Sequence, residues 1–287
     1  MFEELKNYSN SYDFPEELYV KHRFVTYFEQ DFQFQRWHEF VRHHFHSYIY
    51  LALIGYLLVI FSIKKYMDDR KPFELRTPLI LWNFSLAAFS TLGAVRTVPE
   101  LFAVYQNEGF VGTLCHRGHS FDVTGLWLLL FVLSKIPEFG DTLFIVLRKR
   151  PLIFLHWYHH VETAYYSIWS YTSPLFPVSR YFVALNFFVH SVMYTYYGLR
   201  ACGCRLPKPF AMIVTTLQVS QMFVGLFVII SAIRTDCYNH PPALLAGLMT
   251  YLIYAALFCN LFYNSYMRPS TNKSIVLRQK TKITKIN

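Results

Sequence analysis

The sequence predicts an all-α, polytopic membrane protein, and its composition and its apolar runs support this fold class. Hydrophobic residues make up 54% of the 287 residues and charged residues only 16%, whereas about a quarter of a soluble domain is charged. The mean hydropathy is +0.23. Seven apolar runs follow one another, at 47–63, 77–98, 121–147, 151–172, 177–199, 210–233 and 242–266. Several approach the ~20 residues that span a bilayer. We expect seven transmembrane helices within a domain of residues 47–267.

The first 46 residues are predicted to form a separate N-terminal segment. They are polar and aromatic, with eight acidic against five basic residues. No apolar core lies near the start, so we expect no cleavable signal peptide. Asn7 begins an Asn-Tyr-Ser sequon and is a candidate glycosylation site.

The basic residues alternate between the two sides of the predicted bundle. The first, third and fifth loops and the tail carry seventeen lysines and arginines, against four in the other connections. Because basic loops stay in the cytosol, the tail, residues 268–287, is predicted to be cytosolic and the N-terminus to lie on the far side. This arrangement explains the net charge of +9 better than a nucleic-acid surface does.

The predicted topology separates the five cysteines. Cys115 and Cys237 both fall in far-side loops, where an oxidising compartment favours a disulfide; two free thiols on one side are the alternative. Cys202 and Cys204 fall in a cytosolic loop and are therefore expected to be reduced. Their Cys-Gly-Cys sequence lacks a second ligand pair, so we expect no zinc site there. Cys259 is expected in the core.

Three histidines stand out in the fourth run, PLIFLHWYHHVETAYY. His156, His159 and His160 are spaced i, i+3 and i+4, so their rings project from one helix face. Ionisable groups at membrane depth are costly and mark candidate functional sites. Interfacial histidines that cap polar groups at a helix end are the alternative.

A second polar group lies in the third run, in SKIPEFGDT. Lys135, Glu138 and Thr142 share a helix face, with Asp141 at its edge. A lysine three residues before a glutamate can pair with it within the helix. Two interpretations of this group remain open: it contacts substrate, or it forms an ion pair that stabilises helix packing.

Two further helices carry polar stripes. The fifth has Asn186, His190, Met193, Tyr194 and Tyr197, and the sixth has Thr215, Gln218 and Gln221. The least costly arrangement turns all four stripes toward one cavity inside a helical bundle. The apolar remainder of such a tunnel suits an acyl chain.

The motifs restrict the chemistry. No GxSxG elbow, P-loop or GxGxxG is present, so imidazole is the best available nucleophile or proton carrier. Membrane di-iron oxidases also carry HxxHH, but they take ligands from several such boxes, and here one box and His190 are present. We therefore predict no metal site.

These residues resemble the signature blocks of the very-long-chain fatty acid elongases (the ELOVL family). The blocks are HWYHH at 156–160, KIPEFGDT at 135–142, NFFVHSVMY at 186–194 and TTLQVSQ at 215–221, with a second-helix block at 71–96. The resemblance covers residues 47–268. The tryptophan and tyrosine within the histidine box are similar to the subgroup that lengthens saturated and monounsaturated chains.

The resemblance implies an endoplasmic-reticulum enzyme that condenses a long-chain acyl-CoA with malonyl-CoA to 3-oxoacyl-CoA, CoA and carbon dioxide. It implies seven helices, six of them in an inverted barrel around an acyl tunnel, and no bound cofactor. Partners would be the ketoacyl reductase, dehydratase and enoyl reductase of the cycle, and homo-oligomers are possible.

The resemblance also implies roles for the histidines. In a ping-pong mechanism His159 would carry the acyl group. His190 would be its partner, in proton transfer or in holding the thioester carbonyl, and His156 and His160 would orient and polarise. The further residues expected to contact substrate are Lys135, Glu138, Asp141, Asn186, Tyr194, Gln218 and Gln221, with Arg148–Arg150 near the CoA phosphates.

Two features depart from the family pattern, the residue after the histidine box and the C-terminal tail. Glu162 stands where the family usually has an uncharged residue, and we expect it either to raise the pKa of His159 or to orient its ring. Lys282 and Lys285 only loosely match a dilysine retrieval signal. The alternatives are a metal-dependent lipid desaturase or hydroxylase and a non-catalytic seven-helix lipid-binding protein.

Overall fold

The described part of the chain is all-helical. The computed structural model describes residues 20, 22, 24–116, 118–120, 122–173, 176–235 and 240–268, and no β-strand occurs among them. The helices, in chain order, are α1 Tyr27–Gln30, α2 Phe34–Phe40, α3 His46–Tyr66, α4 Arg76–Cys115, α5 Asp122–Ser134, α6 Gly140–Leu147, α7 Phe154–Thr172, α8 Ser179–Ala201, α9 Lys208–Arg234 and α10 Pro241–Phe262. The prediction of an all-α chain is confirmed.

Each of the seven apolar runs coincides with a helix or with a pair of helices. Four helical stretches are long and apolar enough to cross a membrane, at Tyr48–Tyr66, Arg76–Cys115, Lys208–Arg234 and Pro241–Met267. Large apolar side chains on these helices are exposed, as Leu51 on α3, Leu92 on α4 and Phe227 on α9 are. Such faces are stable in hydrocarbon rather than in water, so the protein is a multi-pass membrane protein.

The second predicted helix is longer than its apolar run. We expected it to end near residue 98, but α4 continues through Pro99 and, after a kink at Gly109, to Cys115. Proline at an internal position removes one backbone hydrogen bond. The extension buries Glu100, whose carboxylate lies 3.2 Å from the Arg180 guanidinium of α8. This tertiary ion pair holds a stretch that is too polar to be recognised as part of an apolar run.

The third run, expected as one helix over 121–147, is broken into α5 and α6. A 3₁₀ turn at Pro137–Phe139 separates them, because the proline ring has no N–H and clashes with the carbonyl one turn earlier. The break turns the Lys135 and Glu138 side chains inward, and both are less than 5% exposed.

α4 and α8 pack closely around an aromatic core. The Phe187 ring of α8 is 1% exposed and lies 5.6 Å from the Phe89 ring and 5.3 Å from the Phe131 ring, measured between centroids. Gly93 of α4 faces this ring, and a Cβ there would overlap it. The missing side chain therefore permits the close approach of the two helices.

The N-terminal segment is attached to the bundle through Glu29 on α1. Its carboxylate accepts hydrogen bonds from the Thr26 amide at 2.8 Å and from Trp127 Nε1 at 3.0 Å, and it pairs with Arg96 at 3.0 Å. Burial alone raises the pKa of Glu29, but these donors outweigh it and hold the pKa below its ordinary value. The carboxylate thus remains charged and fixes α1 to α4 and α5.

Several sequence predictions concern the cysteines and the two ends of the chain. Cys202, Cys204 and Cys259 are free and exposed. The expectation of a core position for Cys259 was wrong, because the exposed face of α10 is itself apolar and accepts a thiol. Asn7, Cys237 and residues 269–287 lie outside the described residues, so the glycosylation site, the Cys115–Cys237 disulfide and the retrieval signal stay predictions.

A glycine substitution tests the packing of α9 on α10. A Cβ at Gly225 would overlap the Tyr251 ring, whereas one at Gly55 on α3 would have no heavy atom within 4 Å. We expect Gly225→Ala to cost about 1–3 kcal/mol through overpacking, and Gly55→Ala to be neutral or to stabilise by up to ~1 kcal/mol. Thermal unfolding of the detergent-solubilised protein measures both. Equal midpoints for the two variants would contradict the packing described.

Candidate active site

A cavity of about 520 Å³ lies inside the bundle. It is enclosed by α4, α6, α7, α8, α9 and α10, and we call it the large cavity. The predicted site residues on its wall are His156, His159, His160, His190, Asp141, Asn186, Tyr194, Gln218 and Gln221. The prediction that the polar stripes of four helices share one cavity is confirmed for these positions.

The three histidines of α7 form one contiguous group. The centroids of the His156 and His160 rings are 4.6 Å apart, and those of His159 and His160 are 5.6 Å apart. His156 Nε2 lies 3.0 Å from Thr142 Oγ1, and that hydroxyl lies 2.8 Å from the Tyr56 hydroxyl. This chain of hydrogen bonds fixes the His156 ring, which in turn packs against His160.

A buried hydrogen-bonded chain leads from α5 to His190. Lys135 Nζ donates to Glu138 Oε1 at 2.7 Å and to Asn186 Oδ1 at 3.3 Å. Asn186 Nδ2 lies 3.2 Å from His190 Nε2. Because an ammonium group only donates, the amide oxygen must face Lys135 and the amide nitrogen must face His190. His190 Nε2 is therefore the acceptor, and in the neutral ring the proton is on Nδ1.

The prediction of a Lys135–Glu138 pair is confirmed, but the expected substrate contact is not direct. Neither side chain lies on the wall of the large cavity, because the 3₁₀ turn places both behind Asn186. Ser134 Oγ also donates to Glu138 Oε1 at 3.0 Å. The pair therefore acts on the cavity through Asn186 and His190.

Asp141 is held by two donors from other helices. Trp82 Nε1 of α4 donates to one carboxylate oxygen at 2.6 Å, and the Tyr194 hydroxyl of α8 donates to the other at 2.7 Å. Asp141 is partly buried, and these two hydrogen bonds occupy both of its carboxylate oxygens. Asp141 therefore joins α4, α6 and α8 at the wall of the large cavity.

Two of the three polar residues in the predicted stripe of α9 line the large cavity. Gln218 and Gln221 line the large cavity, and Gln218 Nε2 lies 3.1 Å from Met193 Sδ. Thr215, the third member of the predicted stripe, is absent from the wall and lies 3.1 Å from the Tyr266 hydroxyl.

A second cavity, of about 90 Å³, lies between α5, α7, α8, α9 and α10, and we call it the small cavity. Four residues line both cavities: His159, Asn186, Gln221 and Met222. The two cavities therefore meet at His159. An elongated ligand that occupies both would place one internal atom at this imidazole.

Glu162 lines the small cavity and does not pair with His159. Its carboxylate accepts from the Thr250 hydroxyl and from the Tyr254 hydroxyl of α10, both at 2.5 Å. The expected pair between Glu162 and His159 is not formed, because α10 supplies nearer donors, and an orienting effect of Glu162 on the His159 ring stays a prediction. The Tyr254 ring, however, lies 5.1 Å from the His159 ring, so Glu162 reaches the imidazole through Tyr254.

Sequence reasoning missed Tyr254 and Arg200. The first packs against His159, and the second lines the large cavity together with Arg148 and Arg150. Arg148 and Arg150 had been expected near the CoA phosphates, whereas Arg200 had been explained by topology alone. The spacing of Thr250, Tyr254 and Phe258, at i, i+4 and i+8, is the signal that marks one face of α10, because Phe258 also lies near the His159 ring, at 6.4 Å.

The described residues contain no group of three or more histidine, cysteine, aspartate or glutamate side chains that could hold a metal ion. The walls of the two cavities present imidazole, carboxylate, guanidinium and hydroxyl groups.

Comparison with known proteins identifies the family. The model of the "ELO: GNS1/SUR4 family" matches residues 41–274. Very long chain fatty acid elongase 6 of Drosophila melanogaster is 41% identical over 260 residues, covering 88% of this chain and 82% of the relative. Putative fatty acid elongase 3 of Caenorhabditis elegans is 40% identical, covering 88% and 81%. Very long chain fatty acid elongase 6 of Homo sapiens is 40% identical, covering 77% and 84%. The chain belongs to the ELO family.

Proposed function

We propose that the protein is the condensing enzyme of a fatty acid elongation cycle. It joins a long-chain acyl-CoA to malonyl-CoA and releases 3-oxoacyl-CoA, CoA and carbon dioxide. The observation that carries this proposal is the position of His159, which lines both a large cavity with arginines on its wall and a narrow cavity whose wall is partly apolar. The names of the relatives support the same activity.

The large cavity suits the CoA part of the substrate. Arg148, Arg150 and Arg200 lie at the C-terminal ends of α6 and α8 and line this cavity. Guanidinium groups bind phosphate oxygens in bidentate geometry. An acyl-CoA held there by its phosphates would extend its acyl chain past His159 into the small cavity.

In the first half-reaction the His159 imidazole attacks the thioester carbon. The carbon–sulfur bond breaks, an acyl-imidazole forms, and the imidazole proton passes to the leaving thiolate. His190 presents its Nδ1–H, since its Nε2 is occupied by Asn186. This N–H donates to the thioester oxygen as negative charge develops there.

In the second half-reaction malonyl-CoA replaces CoA in the large cavity. Its carboxylate carbon is lost as carbon dioxide, and the electron pair forms an enolate that attacks the acyl carbon. The bond to His159 breaks, and the imidazole regains one proton from solvent. His156 and His160 hold the box in place, since Thr142 fixes His156.

The membrane arrangement belongs to the same proposal. We infer seven spans, six of them in a barrel around the two cavities, in the endoplasmic-reticulum membrane with the tail in the cytosol. The apolar exposed faces and the arginines at the CoA-binding end support this orientation. The 3-oxoacyl-CoA product would then pass to a ketoacyl reductase, a dehydratase and an enoyl reductase.

Microsomes from cells that express the protein test this function. We expect labelled malonyl-CoA and a saturated long-chain acyl-CoA to give a product longer by one malonyl-derived unit, without added oxygen or iron. Microsomes from cells with the empty vector are the control. A product that requires oxygen and iron but not malonyl-CoA would indicate a desaturase or hydroxylase, and binding without turnover would indicate a lipid-binding protein.

A further inference from the structure

The small cavity has two chemically different walls. One wall is apolar and is formed by Leu128, Phe131, Val132, Phe182 and Met222. The other is one face of α7. An unsubstituted acyl chain makes no hydrogen bond to the oxygens of this polar wall, so the wall calls for a separate explanation.

The α7 wall is a stripe of hydroxyl and carboxyl groups. Its members follow one another at helical spacing from His159 to the end of the helix, and they are Glu162, Thr163, Tyr166, Ser167, Ser170 and Tyr171. Every one of these side chains carries an oxygen. On a membrane helix each such group has to be hydrogen-bonded or it is costly.

Most of these hydroxyl groups use their own proton within the protein. Ser167 Oγ donates to the Thr163 carbonyl at 2.6 Å, Ser170 Oγ to the Ser167 carbonyl at 3.2 Å, and the Tyr166 hydroxyl to the Ala243 carbonyl at 3.0 Å. Their donors are satisfied, but each oxygen retains acceptor capacity toward the cavity.

Tyr171 is the exception. It is 7% exposed, and no described residue lies within hydrogen-bonding distance of its hydroxyl oxygen. The ring is held by Phe34 at 6.1 Å and His38 at 5.9 Å, measured between centroids. A buried hydroxyl without a hydrogen-bond partner is unfavourable, so a ligand in the small cavity that offers a hydrogen-bonding group would stabilise this site.

The distance from His159 to Tyr171 along α7 gives the position of the hydrogen-bonding group on a bound acyl chain. Twelve residues separate His159 from Tyr171, which corresponds to about 18 Å along the helix axis. An extended acyl chain advances about 1.25 Å per carbon, given C–C bonds of about 1.5 Å at tetrahedral angles. The Tyr171 hydroxyl therefore meets a chain about fourteen carbons from the thioester.

We propose that the small cavity accepts long-chain acyl groups that carry a hydroxyl at or next to the ω-carbon, with Tyr171 as the residue that recognises it. This inference rests on the proposed condensation activity. The Tyr171 hydroxyl donates to the chain hydroxyl, which donates in turn to Ser170 Oγ or Ser173 Oγ, both on the same wall. A carboxylate at the ω-end fits less well, because no lysine or arginine is among the described residues of this wall.

Paired substrates test the proposal in the microsomal assay. Palmitoyl-CoA, ω-hydroxypalmitoyl-CoA and α-hydroxypalmitoyl-CoA are compared at equal concentration with labelled malonyl-CoA. We expect kcat/KM for the ω-hydroxy chain to exceed that for palmitoyl-CoA about fivefold, the effect of one additional hydrogen bond. The α-hydroxy chain, whose hydroxyl lies next to the thioester, is expected to show no such gain.

Two variants assign the effect to one hydroxyl. Tyr171→Phe is expected to bring the ratio of ω-hydroxy to unsubstituted rates to about one. Tyr181→Phe is the matched control, since the Tyr181 hydroxyl bonds Thr113 at 2.7 Å and lines neither cavity. It is expected to keep the wild-type ratio.

The outcomes separate this inference from the proposed function. If palmitoyl-CoA is elongated and the wild-type ratio is one or less, the recognition of a hydroxyl is refuted and the condensation activity stands. A preference that persists in Tyr171→Phe refutes the role of that residue. If no acyl-CoA is elongated by the wild type, the condensation activity and this inference both fail. The wild-type ratio decides even if Tyr171→Phe does not fold.

Discussion

The variant His159→Ala is expected to lose elongation by at least about a thousand-fold, because it removes the proposed nucleophile. The imidazole lies where the two cavities meet, and no other side chain replaces it in bonding to the acyl carbon. Initial rates with labelled malonyl-CoA measure the loss. The protein should still fold, since the truncated ring faces a cavity.

A half-reaction experiment distinguishes lost chemistry from lost binding. Wild-type protein incubated with labelled acyl-CoA alone should release one CoA per protein and retain a labelled acyl group, whereas His159→Ala should do neither. His43→Ala replaces an exposed histidine of the turn before α3 and should behave as wild type. An undiminished burst of CoA in His159→Ala would show that another group carries the acyl chain.

We expect Glu138→Gln to destabilise the protein by about 3–5 kcal/mol, because it leaves Lys135 charged and unpaired in the interior. Both side chains of the pair are at most 5% exposed, and their N–O distance is 2.7 Å. Asp69→Asn removes an exposed carboxylate and should be close to neutral. The free energy of unfolding in detergent, or the midpoint of thermal unfolding, measures the difference.

The double variant Lys135→Met/Glu138→Leu separates bracing from catalysis. Replacing both charges by apolar groups is expected to restore most of the stability. Elongation should still fall about tenfold or more, because Asn186 loses the ammonium group that orients its amide toward His190. Full activity of the double variant would mean that the pair only braces α5 against α8.

The sequence predicted the elements well where composition alone decides them. Apolar runs identify helices in a membrane protein, because a hydrocarbon surface tolerates only apolar side chains and internally bonded backbone. Its prediction for the second run was too short, because the extension to Cys115 depends on the Glu100–Arg180 pair, and residues eighty apart in sequence give no local signal.

The residues of the candidate site were also predicted only in part. The spacing of His156, His159 and His160 places them on one face wherever the helix lies, and the family blocks brought His190 to the same site. The partner of Glu162 was not predictable, because Thr250 and Tyr254 come from another helix. His159, one helical turn before Glu162, is not its hydrogen-bond partner.

The sequence by itself determined the fold class, the histidine face and the family, since each depends on residues close together in the chain or on blocks in a fixed order. The tertiary structure alone decided that Lys135 contacts Asn186, that His159 lines both cavities, and that the Tyr171 hydroxyl has no hydrogen-bond partner among the described residues. The physical reason is that hydrogen-bond partners and cavity walls are set by packing between helices, and one-dimensional periodicity describes only the face that each helix presents.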